Sequence, residues 1–255
     1  MRRAFTLIEL LVAVSIVALL AAILLPSLAR ARGEGRRAVC LSNLRQLSIA
    51  ACGYLDEHRD HFWPYFTDVR APERGRRWWF GFEPNGPRFA EPNRPLDKRQ
   101  AVLARYLRST DDALQCPEFP YTDGLYFPKF AARSASYGYN LLLGPSNPWL
   151  PTSRRGEFHR RSATVFVFAD GIHFDFNPGL NEGHYIEYIK DPAAPGTAGG
   201  FGHFRHNGRA QVLFMDGHAE AQVLRGAAYG GRTAAGSAGN LTDAAGGFSI
   251  YGGRN

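Results

Sequence analysis

The chain of 255 residues is 45% hydrophobic and 21% charged, material for one apolar span and one globular domain of ordinary size. Its formal charge of +7 comes almost wholly from arginine, since lysine occurs only at 98, 129 and 190. The arginines form no compact block, so no nucleic-acid partner is expected, and the cysteines form no Cys-x-x-Cys pair, which excludes a zinc site of that kind.

The first predicted element is an apolar helix. After Met1-Arg2-Arg3-Ala4 the chain reads Phe5-Thr6-Leu7-Ile8-Glu9-Leu10, and Ser15 is the one polar residue between Leu11 and Leu25. Leu7 to Leu28 has the roughly 20 residues that a membrane-spanning helix needs. Arg2 and Arg3 hold its start on the cytoplasmic side, so the rest of the chain faces outward. A carboxylate in such a span costs on the order of 2.5–3.5 kcal/mol at mid-membrane and less near an end. Glu9 therefore needs a partner, and its own helix offers no cation within reach. The helix is expected to continue past Pro26 to about Arg59. Cys40, Leu44, Leu47, Ala51, Tyr54 and Leu55 recur there at spacings of three and four, with Arg36, Arg37, Arg45, Asp56 and Glu57 around them. Cys40 and Cys52 lie about 18 Å apart on an intact helix and cannot bridge. Any disulfide within the chain must include Cys116, and we take Cys40 as its partner.

Residues 60–100 are rich in proline, glycine, arginine and aromatics, including His61-Phe62-Trp63-Pro64-Tyr65-Phe66 and Trp78-Trp79-Phe80-Gly81-Phe82. No regular element is assigned there; the aromatics read as padding beneath a long loop rather than as an exposed sugar surface. Asp97 to Arg108 reads as a short helix, capped by Asp97, with Val102, Leu103, Tyr106 and Leu107 on one face. From Gln115 onward the pattern turns to short β runs. Thr164–Phe168 is a strand closed by Asp170-Gly171. Gln211–Met215 is another, closed by Asp216-Gly217 and followed by His218–Val223 as its hairpin partner. Asn207-Gly208 is a further turn. Residues 226–255 read as a loose Gly/Ala-rich tail with a last strand at Phe248–Tyr251. The fold class is α+β: a long N-terminal helix packed on a C-terminal antiparallel sheet.

The string Arg3-Ala4-Phe5-Thr6-Leu7-Ile8-Glu9-Leu10, with Pro26 beyond it, resembles the class III signal of type IV pilins and type II secretion pseudopilins. The resemblance implies that residues 1–4 are a leader removed by a prepilin peptidase between Ala4 and Phe5, and that Phe5 is then N-methylated. It implies a transmembrane assembly helix over 5–28, an amphipathic continuation over 29–59, a globular domain over 60–225 and a tail over 226–255. Glu9 would face the terminal amine of a neighbouring subunit, and Pro26 sits where many pilins kink this helix. Ala4 replaces the glycine usual before the cut; it is small enough for the same pocket, so slower processing is expected rather than none. An ordinary secretory signal has a shorter apolar core, even though Ala29-Arg30-Ala31 could serve as its cleavage site. A plain membrane anchor leaves Glu9 without a purpose.

A second set of motifs covers the soluble part: Cys40-Leu-Ser-Asn43-Leu-Arg-Gln46-Leu, Cys116-Pro117, Ser136-Tyr-Gly-Tyr-Asn140 and His206-x9-Asp216-Gly217. Together they resemble the pilin-like family with a prepilin-type processing-associated His-x9-Asp-Gly domain, abundant in Planctomycetes, Verrucomicrobia and Lentisphaerae. His206, Asp216 and His218 are candidate metal ligands by residue type, and Asp170 with His173 repeats the pattern after the earlier strand. The simpler reading is structural: Asp216 accepts bonds from turn amides and His206 caps or bridges strands. No resident cofactor is expected, a calcium or other divalent ion at these residues being the one metal reading. The chain has no Gly-x-Ser-x-Gly elbow, His-Glu-x-x-His pair or phosphate-binding glycine loop, so no catalytic residue is assigned and no enzyme is expected.

The function these features imply is a pilin-like or pseudopilin subunit of a type IV pilus-like or type II secretion filament. Its partners would be the prepilin peptidase and methyltransferase, other subunits through the N-terminal helix, and an inner-membrane assembly platform. It would sit in the inner membrane with the domain in the periplasm, then in a filament or at the cell surface. The alternative is a membrane-anchored binding module for glycans or a secreted substrate.

Overall fold

The computed structural model describes residues 6–86, 91–124, 126–144, 151–174, 179–186, 199–223, 228–229 and 237–239. It divides into two units, Met1–Ala38 and Val39–Asn255. Helix α1 (Leu7–Glu57) supplies the described part of the first unit and opens the second.

In the first unit, the large apolar side chains from Leu7 to Leu28 are exposed on every side of the helix. It is the one helix among the described residues long and apolar enough to cross a membrane. Its two serines are masked locally: Ser15 and Ser27 each donate to the carbonyl three residues back, Val12 and Leu24, at 2.8 Å. Pro26 removes one backbone bond, yet the helix continues through it.

In the second unit, α1 buries Cys40, Asn43, Leu44, Leu47, Ala50, Ala51 and Leu55. Asn43 breaks the apolar stripe for a reason: its Nδ2 donates to the carbonyls of Asp112 and Gln115, 3.0 and 2.8 Å away. The helix stops at Glu57 rather than Arg59. Arg59 and Asp60 adopt φ of 55° and 64°, and the Asp60 amide donates back to Leu55 O at 2.8 Å.

The region without predicted structure contains a three-stranded antiparallel meander, β1 (Phe66–Val69), β2 (Gly75–Trp78) and β3 (Gly81–Pro84). Residues 97–108 are not one helix but two 3-10 turns, Lys98–Gln100 and Ala104–Tyr106. Asp97 does cap the first. Between them Ala101 is extended, and the Val102 amide donates to Trp79 O instead of within a helix. A single turn, α2 (Thr110–Ala113), follows.

The larger sheet comprises β4 (Tyr137–Asn140), β5 (Phe166–Phe174), β6 (Leu180–Glu182), β7 (Tyr185–Ile186), β8 (Gly199–Phe204), β9 (Arg209–Phe214), β10 (Ala219–Val223), β11 (Ala228–Tyr229) and β12 (Ser237–Gly239). Its main order is β10-β9-β5-β8-β12-β11, with β4 and β6 also on β5 and β7 on β4. All pairs are antiparallel except β4 with β7. The predicted hairpin is present as β9–β10, and Asn207-Gly208 turns with φ of 52° and 76°. Two expectations are corrected. Asp170-Gly171 does not close a strand, because β5 runs through it to Phe174. The tail is not wholly loose, since β12 adds to the sheet beside β8. The proposed strand at 248–251 lies outside the described residues.

The main core lies between α1 and β4–β5. Trp63 stacks on Tyr139 at 4.9 Å and on Phe168 at 5.9 Å, and Trp79 packs 4.9 Å from Phe168. A register shift between Phe166 and Phe168 turns both Val167 and Phe168 toward this cluster, as a bulge does. Phe166 and Ala169 join Val212 and Phe214 in a second cluster. The aromatics Phe62, Trp63, Tyr65, Trp78, Trp79, Phe80 and Phe82 are thus buried core, with Phe66 half-buried against them, and form no exposed sugar surface.

Candidate functional site

Two sets of residues carry the functional reading, one in each unit. At the helix start, Ala4 and Phe5 lie outside the described residues. Thr6 and Glu9 form a reciprocal cap: the Glu9 carboxylate Oε2 accepts from the Thr6 amide and hydroxyl, both at 2.8 Å, while Thr6 Oγ1 accepts from the Glu9 amide at 3.2 Å. This Thr-x-x-Glu spacing is a recognisable helix-start signal, and it gives Glu9 a partner within its own helix where a cation was expected. Glu9 Oε1 takes no bond among the described residues.

In the second unit the change of strand partners creates a buried polar cluster. Both β8 and β9 run antiparallel to β5, β8 opposite Gly171–Phe174 and β9 opposite Phe166–Ala169. The change falls at Asp170, beside the Arg205–Gly208 connection. Asp170 is fully buried. Its Oδ1 receives Arg205 Nη2 at 2.5 Å, and its Oδ2 receives the Gln211 amide at 2.7 Å and faces His206 Nε2 at 3.1 Å. Burial alone would raise this carboxyl; the Arg205 charge, the His206 contact and the Gln211 amide outweigh it and hold it below the ordinary aspartate value. Arg205 also donates to Ser136 O at 2.7 Å and Gly171 O at 3.1 Å. A buried ion pair is tolerable when its remaining hydrogen-bonding groups are met; these carbonyls meet Nη1 and Nη2, while Arg205 Nε has no hydrogen-bond partner among the described residues.

His206 stands between this pair and a disulfide. Cys40 and Cys116 are joined, with 5.2 Å between their Cα atoms, while Cys52 is a free, exposed thiol. His206 Nε2 lies 3.4 Å from Cys116 Sγ, and its Nδ1 lies 2.6 Å from Glu118 Oε2. His203, three residues before His206, receives Arg205 Nη1 on its Nδ1 at 3.3 Å. Burial first, then the Arg205 charge, pushes His203 down to about 3.

The candidate ligands His206, Asp216 and His218 do not converge. His206 and Asp216 lie at opposite ends of β9, whose six residues place them roughly 20 Å apart at about 3.3 Å each. Asp216 and His218 do meet, Oδ1 to Nδ1 at 2.5 Å, on an exposed turn where the His218 ring stacks on Phe214 at 4.4 Å. Gly217 has φ of 91°, and a Cβ there would approach Ser48 Oγ of α1 at 3.3 Å. The motif thus marks the two ends of one strand against one helix, near Cys40 and near Ser48, with the nine intervening residues supplying β9 and its turns. Asp170 and His173 do not act together either. Three places apart on a strand, they point to opposite faces, and His173 contacts Lys129 Nζ at 3.3 Å and Tyr185 OH at 3.0 Å. Arg205 and Glu118 were missed because scattered charges carry no sequence signal of burial.

A helix that is apolar all round over its first half and packs on a sheet over its second defines an α+β protein with a long apolar N-terminal helix. The model of the prokaryotic N-terminal methylation motif matches residues 1–25. The type IV major pilin protein PilA of Myxococcus xanthus (strain DK1622) is 33% identical over 79 residues, 31% of this chain and 36% of that pilin. The chain therefore spans about a third of the length of this curated relative. No solved structure matches it. With the α+β fold, these matches make the protein pilin- or pseudopilin-like, with a prepilin-type methylation motif on an apolar N-terminal helix.

Proposed function

We propose that the protein is a filament subunit of a type IV pilus-like or type II secretion pseudopilus system, made as a membrane-bound precursor. A prepilin peptidase cuts between Ala4 and Phe5, the new Phe5 amine is methylated, and an inner-membrane platform stacks the helices of successive subunits. The domain faces the periplasm before assembly and the filament surface afterwards. The observation that carries this reading is the methylation motif over residues 1–25, leading into a helix whose apolar side chains are exposed from Leu7 to Leu28. So large an apolar surface requires lipid or other helices around it. Glu9 supports the assembly step: one oxygen caps its own helix through Thr6, and the other is left for a neighbour's Phe5 amine. The soluble part is then of the His-x9-Asp-Gly type, with His206, Asp216 and Gly217 as architectural residues.

Mass spectrometry of the native N terminus tests the processing: methyl-Phe5 is expected, and an intact Met1 or a start near Arg32 would sink the reading. Glu9→Ala should leave the subunit in the membrane but out of filaments. Normal filament incorporation of that variant would refute the assembly role.

A further inference from the structure

The disulfide site also has the donor set of a metal centre. Cys40 Sγ, Cys116 Sγ and a ring nitrogen of His206 are buried and lie within 4.8 Å of one another. They come from separate elements, α1, the loop after α2 and the connection between β8 and β9, so the folded domain alone assembles them. Two sulfurs on a tetrahedral zinc sit roughly 3.8 Å apart, given Zn–S bonds of about 2.3 Å. Opening the S–S bond to that separation takes side-chain rotation at a Cα spacing of 5.2 Å. His206 is placed as a ligand requires: its Nε2 lies toward the sulfurs, 3.4 Å from Cys116 Sγ, and its other ring nitrogen, Nδ1, lies 2.6 Å from Glu118 Oε2, the kind of carboxylate neighbour that orients a ligating histidine. Asp170 Oδ2, 3.1 Å from Nε2, is the nearest fourth donor.

We propose that Cys40, Cys116 and His206 form a second, dithiol state of this site that binds a thiophilic divalent cation, zinc being the best match, in place of the disulfide. An external dithiol supplies two electrons and two protons to the S–S bond and leaves as its own disulfide. The two protein thiols then lose their protons to solvent as the metal binds. The metal is not oxidised or reduced. The exchange leaves the buried charge unchanged, because a dication with two thiolates is as neutral as a disulfide. The ion pair of Asp170 and Arg205 need not rearrange. Two thiols without a metal would lack this cross-link between α1 and the loop after α2, so the ion preserves the tether when the covalent bond is broken.

The test uses the full chain in detergent micelles, reduced with a phosphine under argon until three thiols per chain titrate. Cobalt(II) is then added as a spectroscopic probe. One ion per chain is expected, with a thiolate-to-cobalt charge-transfer band and the d–d bands of tetrahedral cobalt, both abolished by added zinc. Cys52→Ser should leave the signal unchanged, and Cys40→Ser or His206→Ala should remove it. Glu118→Gln keeps all three donors and should weaken binding about 10- to 100-fold. Three titratable thiols without a charge-transfer band would overturn the proposal. So would a signal lost in Cys52→Ser but kept in Cys40→Ser, or an unchanged affinity in Glu118→Gln.

Discussion

Asp170-Gly171 and Asp216-Gly217 each follow an apolar β run, and the fold uses them in opposite ways. At Asp216-Gly217 the chain turns: Gly217 takes φ of 91° and Asp216 pairs with His218 on the surface. At Asp170-Gly171 the chain runs straight on in β5, with Asp170 fully buried. There the glycine serves proximity, since a Cβ on Gly171 would lie 2.3 Å from Gly183 O and 2.8 Å from the Gly138 amide nitrogen. One dipeptide needs glycine for its torsion angle and the other for its missing side chain. What stands across the sheet decides which.

The sharpest contrast is in the aspartates. Asp170→Ala leaves Arg205 buried without its counter-ion and should cost about 3–5 kcal/mol, read from the urea midpoint of the solubilised protein. Asp216→Ala on the exposed turn should cost below about 1 kcal/mol. Equal losses would erase the distinction. The glycines come next. Gly171→Ala forces backbone apart and should cost about 1–3 kcal/mol, whereas Gly217→Ala should cost about 1–2 kcal/mol through its torsion. Asparagine separates the two causes, because it tolerates the left-handed region: Gly217→Asn should regain most of the loss and Gly171→Asn none.

Acid should act on the buried site. Asp170 titrates lower in the fold than in the unfolded chain, so its stabilisation is full above the ordinary aspartate value near about 3.9 and is lost as pH falls through the folded one. His203 stays neutral in the fold down to about 3, whereas the unfolded chain takes up that proton near pH ~6.5. Stability should therefore decline with falling pH between these limits, by about 1.4 kcal/mol per pH unit for this one group. His203→Gln should flatten the slope without abolishing it, because burial, then the Lys129 charge, also depresses His173 and His184. A slope unchanged in His203→Gln would remove His203 from the account. The smallest effect is expected from His218→Ala, within about 1 kcal/mol, since its pair with Asp216 is exposed.

The amphipathic half of α1 was legible because period and burial coincide over Cys40, Leu44, Leu47, Ala51 and Leu55. The β9–β10 hairpin was legible because Asp-Gly there meets a real reversal. The meander of β1–β3 was not: its strands are four residues each, too short for alternation to register. The 3-10 turns at 98–106 escaped for another reason, as a bond from Val102 to Trp79 competes with helix propensity. At the candidate site, the structural reading of His206 and Asp216 fits the turn bond from the His218 amide to Asp216 Oδ1 and the His206–Arg209 bridge, whereas the metal alternative does not bring the two together, because a motif gives spacing along the chain and not direction in space.

Sequence alone determined the apolar helix, its Glu9 and the N-terminal methylation motif, since apolar runs and helix periodicity are properties of consecutive residues. It also determined the α+β class. Only the tertiary structure decided that Asp170 lies inside a strand, that Arg205 and Glu118 join His206, and that this cluster stands against the disulfide from Cys40 to Cys116. Those contacts join residues up to 166 positions apart, between Cys40 and His206. Their energies depend on burial and on strand partners, quantities that no local pattern carries.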